Sequence, residues 1–198
     1  MHSVAYVVLR DGADGICRRR NGSWGGECLG GQEHTGLTTQ PQPTLRFYIS
    51  GSCPIDIEFA LNEPYAKKSV LGMNIRGPFV KGIAHISLAD YDITLRPGIV
   101  YEWLIAIVTD PEERSSDFMA SATIRYAPPS EELLQKLNAS EDRLYFIYAE
   151  NGYWYDTIEG LSRQIDADPD NDILRSHRST LLKQVKLHKA AAYDLQDK

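Results

Sequence analysis

The stretch Ile55-Asp56-Ile57-Glu58-Phe59-Ala60-Leu61-Asn62 decides the fold. Ile55, Ile57, Phe59 and Leu61 alternate with Asp56, Glu58, Ala60 and Asn62, and a period of two places one set on each face of a strand. Immediately upstream, Leu45, Phe47 and Ile49 alternate with Thr44, Arg46 and Tyr48. Further strands are expected over 69–75, 80–88, 99–109 and 117–126, each bounded by Gly, Pro, Asn or Asp, with Arg96-Pro97-Gly98 as the clearest turn. Ile99 to Val108 is apolar apart from Glu102, which suits a central strand covered on both faces. Short strands at this spacing predict an antiparallel β-sandwich of immunoglobulin-like type over 44–127.

Outward from this block the patterning changes twice. Residues 1–43 read as an opening strand, Val4 to Leu9, followed by a Gly/Pro-rich arm, since nine of the 15 glycines fall between Gly12 and Gly51 and Gln40-Pro41-Gln42-Pro43 closes the segment. After Ala127-Pro128-Pro129 the period becomes helical. Ser130 is an N-cap candidate ahead of Glu131 and Glu132, with Leu133, Leu134 and Leu137 as its stripe. A second helix carries Leu144, Ile147 and Tyr148 and stops at Asn151-Gly152. A third carries Trp154, Ile158, Leu161 and Ile165, and a fourth runs from about Asp172 to Leu187. The class is therefore α+β, with a helical-hairpin region over 128–189 and a frayed tail over 190–198. Two prolines reach only about 7 Å, so the helices are expected to pack directly on the sandwich. Trp103 and Trp154 are expected in the core.

Composition excludes some functions. The chain has 198 residues, 42% hydrophobic and 24% charged, which suits a folded domain. A net charge of −6, from 21 Lys+Arg against 27 Asp+Glu, argues against nucleic acid as a partner. No apolar run is long enough to span a membrane. The run before Leu9 is too short for a secretory signal, so the location is periplasmic or extracytoplasmic if a leader was removed, and otherwise cytoplasmic.

Six pieces in order resemble a bacterial family catalogued as domain of unknown function 928. They are Leu45-Arg46-Phe47-Tyr48-Ile49; Ile57-Glu58-Phe59-Ala60-Leu61; Gly82-Ile83-Ala84-His85-Ile86-Ser87-Leu88; Leu95-Arg96-Pro97-Gly98 before Tyr101-Glu102-Trp103; Ile124-Arg125-Tyr126; and Gly152-Tyr153-Trp154-Tyr155-Asp156. The resemblance covers most of 25–187. It implies an exported envelope protein and brings no assigned activity.

No motif stands out for catalysis, metal or cofactor. Counted as an EF-hand from Asp166, position six is Asn171 and position twelve is His177; from Asp168 they are Ile173 and Ser179, so both registers fail. An interhelical loop capped by Asp170 or Asp172 is the simpler account. The glycine-rich Gly22 to Gly31 lacks the Gly-Lys-Ser/Thr of a phosphate cradle. Cys17 and Cys28 flank an Asn21-Gly22 turn and form a candidate disulfide; Cys53 is the third thiol. His85, with Ser87 on the same strand face and Asp90 beyond, is the candidate set for a hydrolase, although no nucleophile elbow accompanies it. Tyr153 and Tyr155 are candidates for stacking on sugar rings. Arg175, Arg178, Lys183, Lys186 and Lys189 put five cations into 173–189 without an acid, leaving 16 against 27 elsewhere, a candidate basic face. The leading expectation is a non-catalytic binding or structural module of the bacterial envelope whose partner is a protein or a glycan. The alternatives are the His85 hydrolase and a carbohydrate-binding module built on Tyr153 and Tyr155.

Overall fold

A computed structural model describes residues 7–9, 35–66, 68–108, 110, 112, 117–140 and 144–196. Eight strands come first: β1 (Val7–Leu9), β2 (Gly36–Thr38), β3 (Thr44–Ile49), β4 (Ile57–Asn62), β5 (Leu71–Ile75), β6 (Gly82–Ser87), β7 (Val100–Ile107) and β8 (Phe118–Tyr126). Five helices follow: α1 (Glu131–Asn138), α2 (Leu144–Glu150), α3 (Trp154–Ala167), α4 (Asp172–Gln184) and α5 (His188–Asp194). The architecture is mixed α+β with the helices C-terminal, as the patterning predicts.

The strands form a three-stranded sheet, β1-β3-β6, and a five-stranded sheet, β2-β8-β7-β4-β5. In β4 the alternation holds: Ile57, Phe59 and Leu61 are buried and their neighbours are not. The strand begins at Ile57, however. Ile55 is exposed, because Cys53 makes an isolated bridge with Phe79 just upstream and ends the regular pairing. Strand β7 lies between β4 and β8, and its Trp103 to Ile107 are all buried, as a strand covered on both faces requires. Pairing is not wholly antiparallel. The short edge strands β1 and β2 join β3 and β8 in parallel. Both come from the N-terminal arm, where no hairpin dictates their direction.

One hydrophobic cluster unites strands and helices. Phe47, Phe59, Trp103 and Ile124 share it with Trp154, Tyr155, Ile158, Leu182 and Ala190. Helix α3 lies against β2 and β3. Trp103 is fully buried, and its Nε1 donates to the Tyr155 hydroxyl at 2.9 Å, which donates to the Thr123 carbonyl at 3.1 Å.

The helix ends follow their chemistry. Ser130 caps α1 through the Leu133 N–H at 3.2 Å. Gly152, at φ 79°, turns the chain from α2 into α3. Asn171, rather than Asp170 or Asp172, caps α4 through the Leu174 N–H at 3.2 Å. Two expectations need correction. The single helix to Leu187 breaks at Lys186, which adopts φ 65° while the Leu187 N–H returns to the Leu182 carbonyl. The tail expected to fray from Ala190 is helix α5. Ala190 and Ala191 are fully buried, and Asp194 receives Arg178 Nε at 2.8 Å and Nη2 at 2.6 Å. A buried ion pair holds a segment that its small residues alone would leave loose.

Candidate functional site

A groove of about 450 Å³ opens between the Thr38–Thr44 turn and the α2–α3 hairpin. One rim is Gln40-Pro41-Gln42-Pro43. The prolines lack N–H groups, and their carbonyls are used elsewhere: Leu95 N donates to Pro41 O at 2.8 Å and Leu88 N to Pro43 O at 3.1 Å. The backbone is thus pinned from behind, and Gln40 and Gln42 line the groove. The opposite wall comes from Tyr145 and Tyr148 on α2 and from Asp156, Glu159, Arg163 and Gln164 on α3.

Two carboxylates on α3 tie this wall to the sheets. The Thr39 N–H donates to Asp156 Oδ2 at 3.0 Å and Oδ1 at 3.2 Å, and the Thr39 hydroxyl donates to Oδ1 as well. The Thr38 hydroxyl adds another bond. Asp156 is only 7% exposed. Burial raises its pKa above the usual aspartate value, and the Thr39 and Thr38 bonds partly offset that rise. Tyr148 shares a hydrogen bond with the Thr39 hydroxyl; burial, with a smaller contribution from the Asp156 charge, raises its phenol pKa. Glu159 has both oxygens engaged: Arg46 Nε donates to Oε2 at 2.7 Å and Arg163 Nε to Oε1 at 2.8 Å. Arg46 also reaches Asp166 at 3.3 Å. Tyr145 bonds His177 Nδ1 through its hydroxyl at 3.0 Å, which fixes its ring.

The residues singled out from sequence fall elsewhere in part. Tyr155 lines the groove floor but is buried, its hydroxyl committed to Trp103 and Thr123, and burial raises its phenol pKa far beyond the usual range. It cannot form an exposed stacking patch. Tyr153 is half-buried, edge-on to Tyr148 at 6.4 Å. The basic face of α4 divides. Arg175 is 7% exposed and donates to the Pro169 carbonyl at 2.7 Å; Arg178 is 4% exposed and bonds Asp194 and Ser162. Of the five cations, Lys183 and Lys186 stand exposed and Lys189 is half-buried. An arginine at the stripe edge of a helix is internal when a partner acid folds over it, and α5 supplies that acid.

His85 is exposed on β6, opposite Arg46, with Ser87 half-buried two residues on and Asp90 exposed in the 3-10 turn Leu88–Tyr91. His85, Ser87 and Asp90 are not among the described lining residues of the groove. Asp166 pairs with Arg46 and Asp168 accepts from the Asn171 amide at 3.0 Å, so these two acids of the 166–172 loop serve the fold. Among the described residues no set of three His, Cys, Asp or Glu is placed to hold a metal ion. No helix of the described residues is long and apolar enough to cross a membrane. Cys17 and Cys28 lie outside the described residues; Cys53 is buried and unbridged.

Sequence reasoning missed the groove. Gln40 and Gln42 read as the close of a loop segment, and Asp156 figured only within the Gly152–Asp156 piece of the family resemblance. The available signal was an acid between Tyr155 and Ile158, on a helix whose first five residues are all buried. An acid there needs donors from elsewhere in the chain.

The fold and this groove define a two-sheet α+β protein with C-terminal helices and a polar cleft where they meet the Thr38–Thr44 turn. The chain belongs to the family described as Domain of Unknown Function (DUF928), whose model matches residues 27–195. No curated protein matches it.

Proposed function

We propose that the protein is a non-catalytic binding module of the bacterial cell envelope, and that the groove between the Thr38–Thr44 turn and α2–α3 is its ligand site. One observation carries this reading: both groove carboxylates are already committed. General acid–base work needs a carboxyl group within reach of a substrate proton. Asp156 is held by Thr39, and Glu159 is held by Arg46 and Arg163. They act as fixed posts that shape the cleft. The volume lies within the usual range of small-ligand sites, about 300–1,000 Å³.

The immunoglobulin-like reading of the sandwich draws support from strand order. β3 and β6 share one sheet while β4, β7 and β8 neighbour one another in the other, the arrangement of the B, E and C, F, G strands of such domains. Tyr101 at the start of β7 accepts from the Arg96 N–H at 3.2 Å, in the manner of their tyrosine corner. Placement in the envelope rests on the exported character that the family resemblance implies. Fractionation of cells producing the endogenous protein tests it, and recovery with the cytosol refutes it.

A fragment-library screen read by backbone chemical shifts tests the site. Shifts concentrated at Gln42, Tyr148, Glu159 and Gln164 are expected. Shifts centred on His85 and Ser87 would overturn the reading in favour of the hydrolase.

A further inference from the structure

We infer that the groove takes a short, neutral oligosaccharide; this rests on the binding-module reading and gives it a ligand class. Three glutamines, Gln40, Gln42 and Gln164, meet in one cleft. Each amide offers donors and an acceptor together, which is what a sugar hydroxyl, itself donor and acceptor, requires; Gln40 gives one donor to the Thr39 hydroxyl at 3.2 Å and keeps its second donor and its acceptor. A carboxylate or an ammonium offers only one kind.

Charge points the same way. Among the described lining residues the charged groups are Asp156, Glu159 and Arg163. Glu159 is balanced by Arg163 on one oxygen and by Arg46 on the other. Asp156 is turned to Thr39. A phosphate or a uronate would meet one cation, the rim guanidinium of Arg163, which Glu159 already engages through Nε, and an ammonium would meet no uncompensated acid.

The aromatic wall is prepared in advance. Tyr148, half-buried, is fixed by Thr39 through its hydroxyl and by Tyr153 at its ring, and the buried Tyr145 beside it is held by His177. A ring held in place spends no rotamer freedom on binding, and its apolar face suits the C–H face of a pyranose. A peptide in extended form is the competing ligand. It would pair with a free backbone edge. Along the Gln40–Pro43 rim that edge is interrupted, since Pro41 and Pro43 lack N–H groups, their carbonyls accept from the Leu95 and Leu88 N–H groups, and the Gln40 N–H is given to the Thr38 hydroxyl.

The test uses the full chain with neutral oligosaccharides of two to six hexose or N-acetylhexosamine units, their uronic-acid counterparts, and a hexapeptide library. Calorimetry gives the affinity, and chemical shifts give the place. Binding of a neutral member is expected, weakened about five- to tenfold by Tyr148→Ala through the lost ring face. Gln164→Leu should weaken it about three- to tenfold by leaving a hydroxyl unpaired. Circular dichroism and melting of each variant guard against misfolding, and Tyr148→Phe, which keeps the ring, should retain most of the affinity. Preference for uronates or peptides, with shifts still in the groove, would overturn the sugar class and leave the binding site standing. No binding of any sugar would overturn the class as well. Sugar binding unchanged by both variants, with shifts elsewhere, would overturn the site itself.

Discussion

Replacing Asp156 with alanine removes the acceptor that joins the helical wall of the groove to the arm. The carboxylate receives the Thr39 N–H on both oxygens and the Thr39 hydroxyl on one, and Thr39 is itself only 6% exposed. Hydroxyls can turn to other acceptors, and Gln40 Nε2 and Tyr148 already contact the Thr39 oxygen. The Thr39 N–H cannot turn. One buried amide left unpaired, with part of a hydroxyl bond lost, amounts to about 2–4 kcal/mol. Asp156→Asn keeps an acceptor for the N–H and can donate to the hydroxyl, so its loss should be within about 1 kcal/mol. The pH dependence separates the two carboxyl states. Burial raises the folded pKa of Asp156 above its ordinary 3.8, so the folded protein binds its proton more tightly than the unfolded chain. That contribution to stability is complete below the ordinary value and fades as pH rises through the folded pKa. Wild type should therefore gain on Asp156→Asn as pH falls from neutral toward 3.8. Urea unfolding across that window measures the difference. A wild type that loses ground on acidification, or an alanine variant of near-native stability, would refute the account.

Arg178→Met should cost about 3–5 kcal/mol by stranding the fully enclosed Asp194, and Arg178→Met with Asp194→Leu should recover much of it in thermal melts. Tyr155→Phe removes the acceptor of Trp103 Nε1 and the donor to Thr123, a loss of about 1–3 kcal/mol by urea unfolding, with tryptophan fluorescence shifted. A fragment ending at Ala127 should be molten and bind a hydrophobic dye, because Trp154, Tyr155 and Ile158 complete the same cluster as Phe47 and Trp103. A sharply melting 1–127 would mean that the sheets close without the helices.

The strands were legible because their signal is local. In Ile57 to Asn62 each residue declares its face, and Ile99 to Val108 declares burial on both. Helix starts were legible for the same reason, as at Ser130. What stayed hidden depends on pairs far apart in sequence. Asp156 and Thr39 are 117 positions apart, and Arg46 and Glu159 are 113 apart. Each residue alone reads as a solvated polar group. Arg178 read as part of a basic surface because Asp194, its partner, lay in a tail that composition made look unstructured. The break at Lys186 carries no glycine to announce it, since a non-glycine residue enters that conformation only when packing on both sides requires it.

These long-range ties share one element. Helix α3 is held on its groove side through Asp156 to Thr39 and through Glu159 to Arg46, and on its other side through Ser162 to Arg178, which also grips Asp194. A helix clamped on both flanks has little freedom to shift toward a ligand. The groove wall it forms is consequently preorganised, and on the proposed reading affinity would be set by how well a ligand matches fixed amides and rings rather than by any closure around it. That rigidity also explains the placement of charge. Buried ions are costly unless paired, so the charged groups that anchor α3 are spent on other parts of the chain, and what remains facing the cleft is amide and aromatic apart from the rim guanidinium of Arg163.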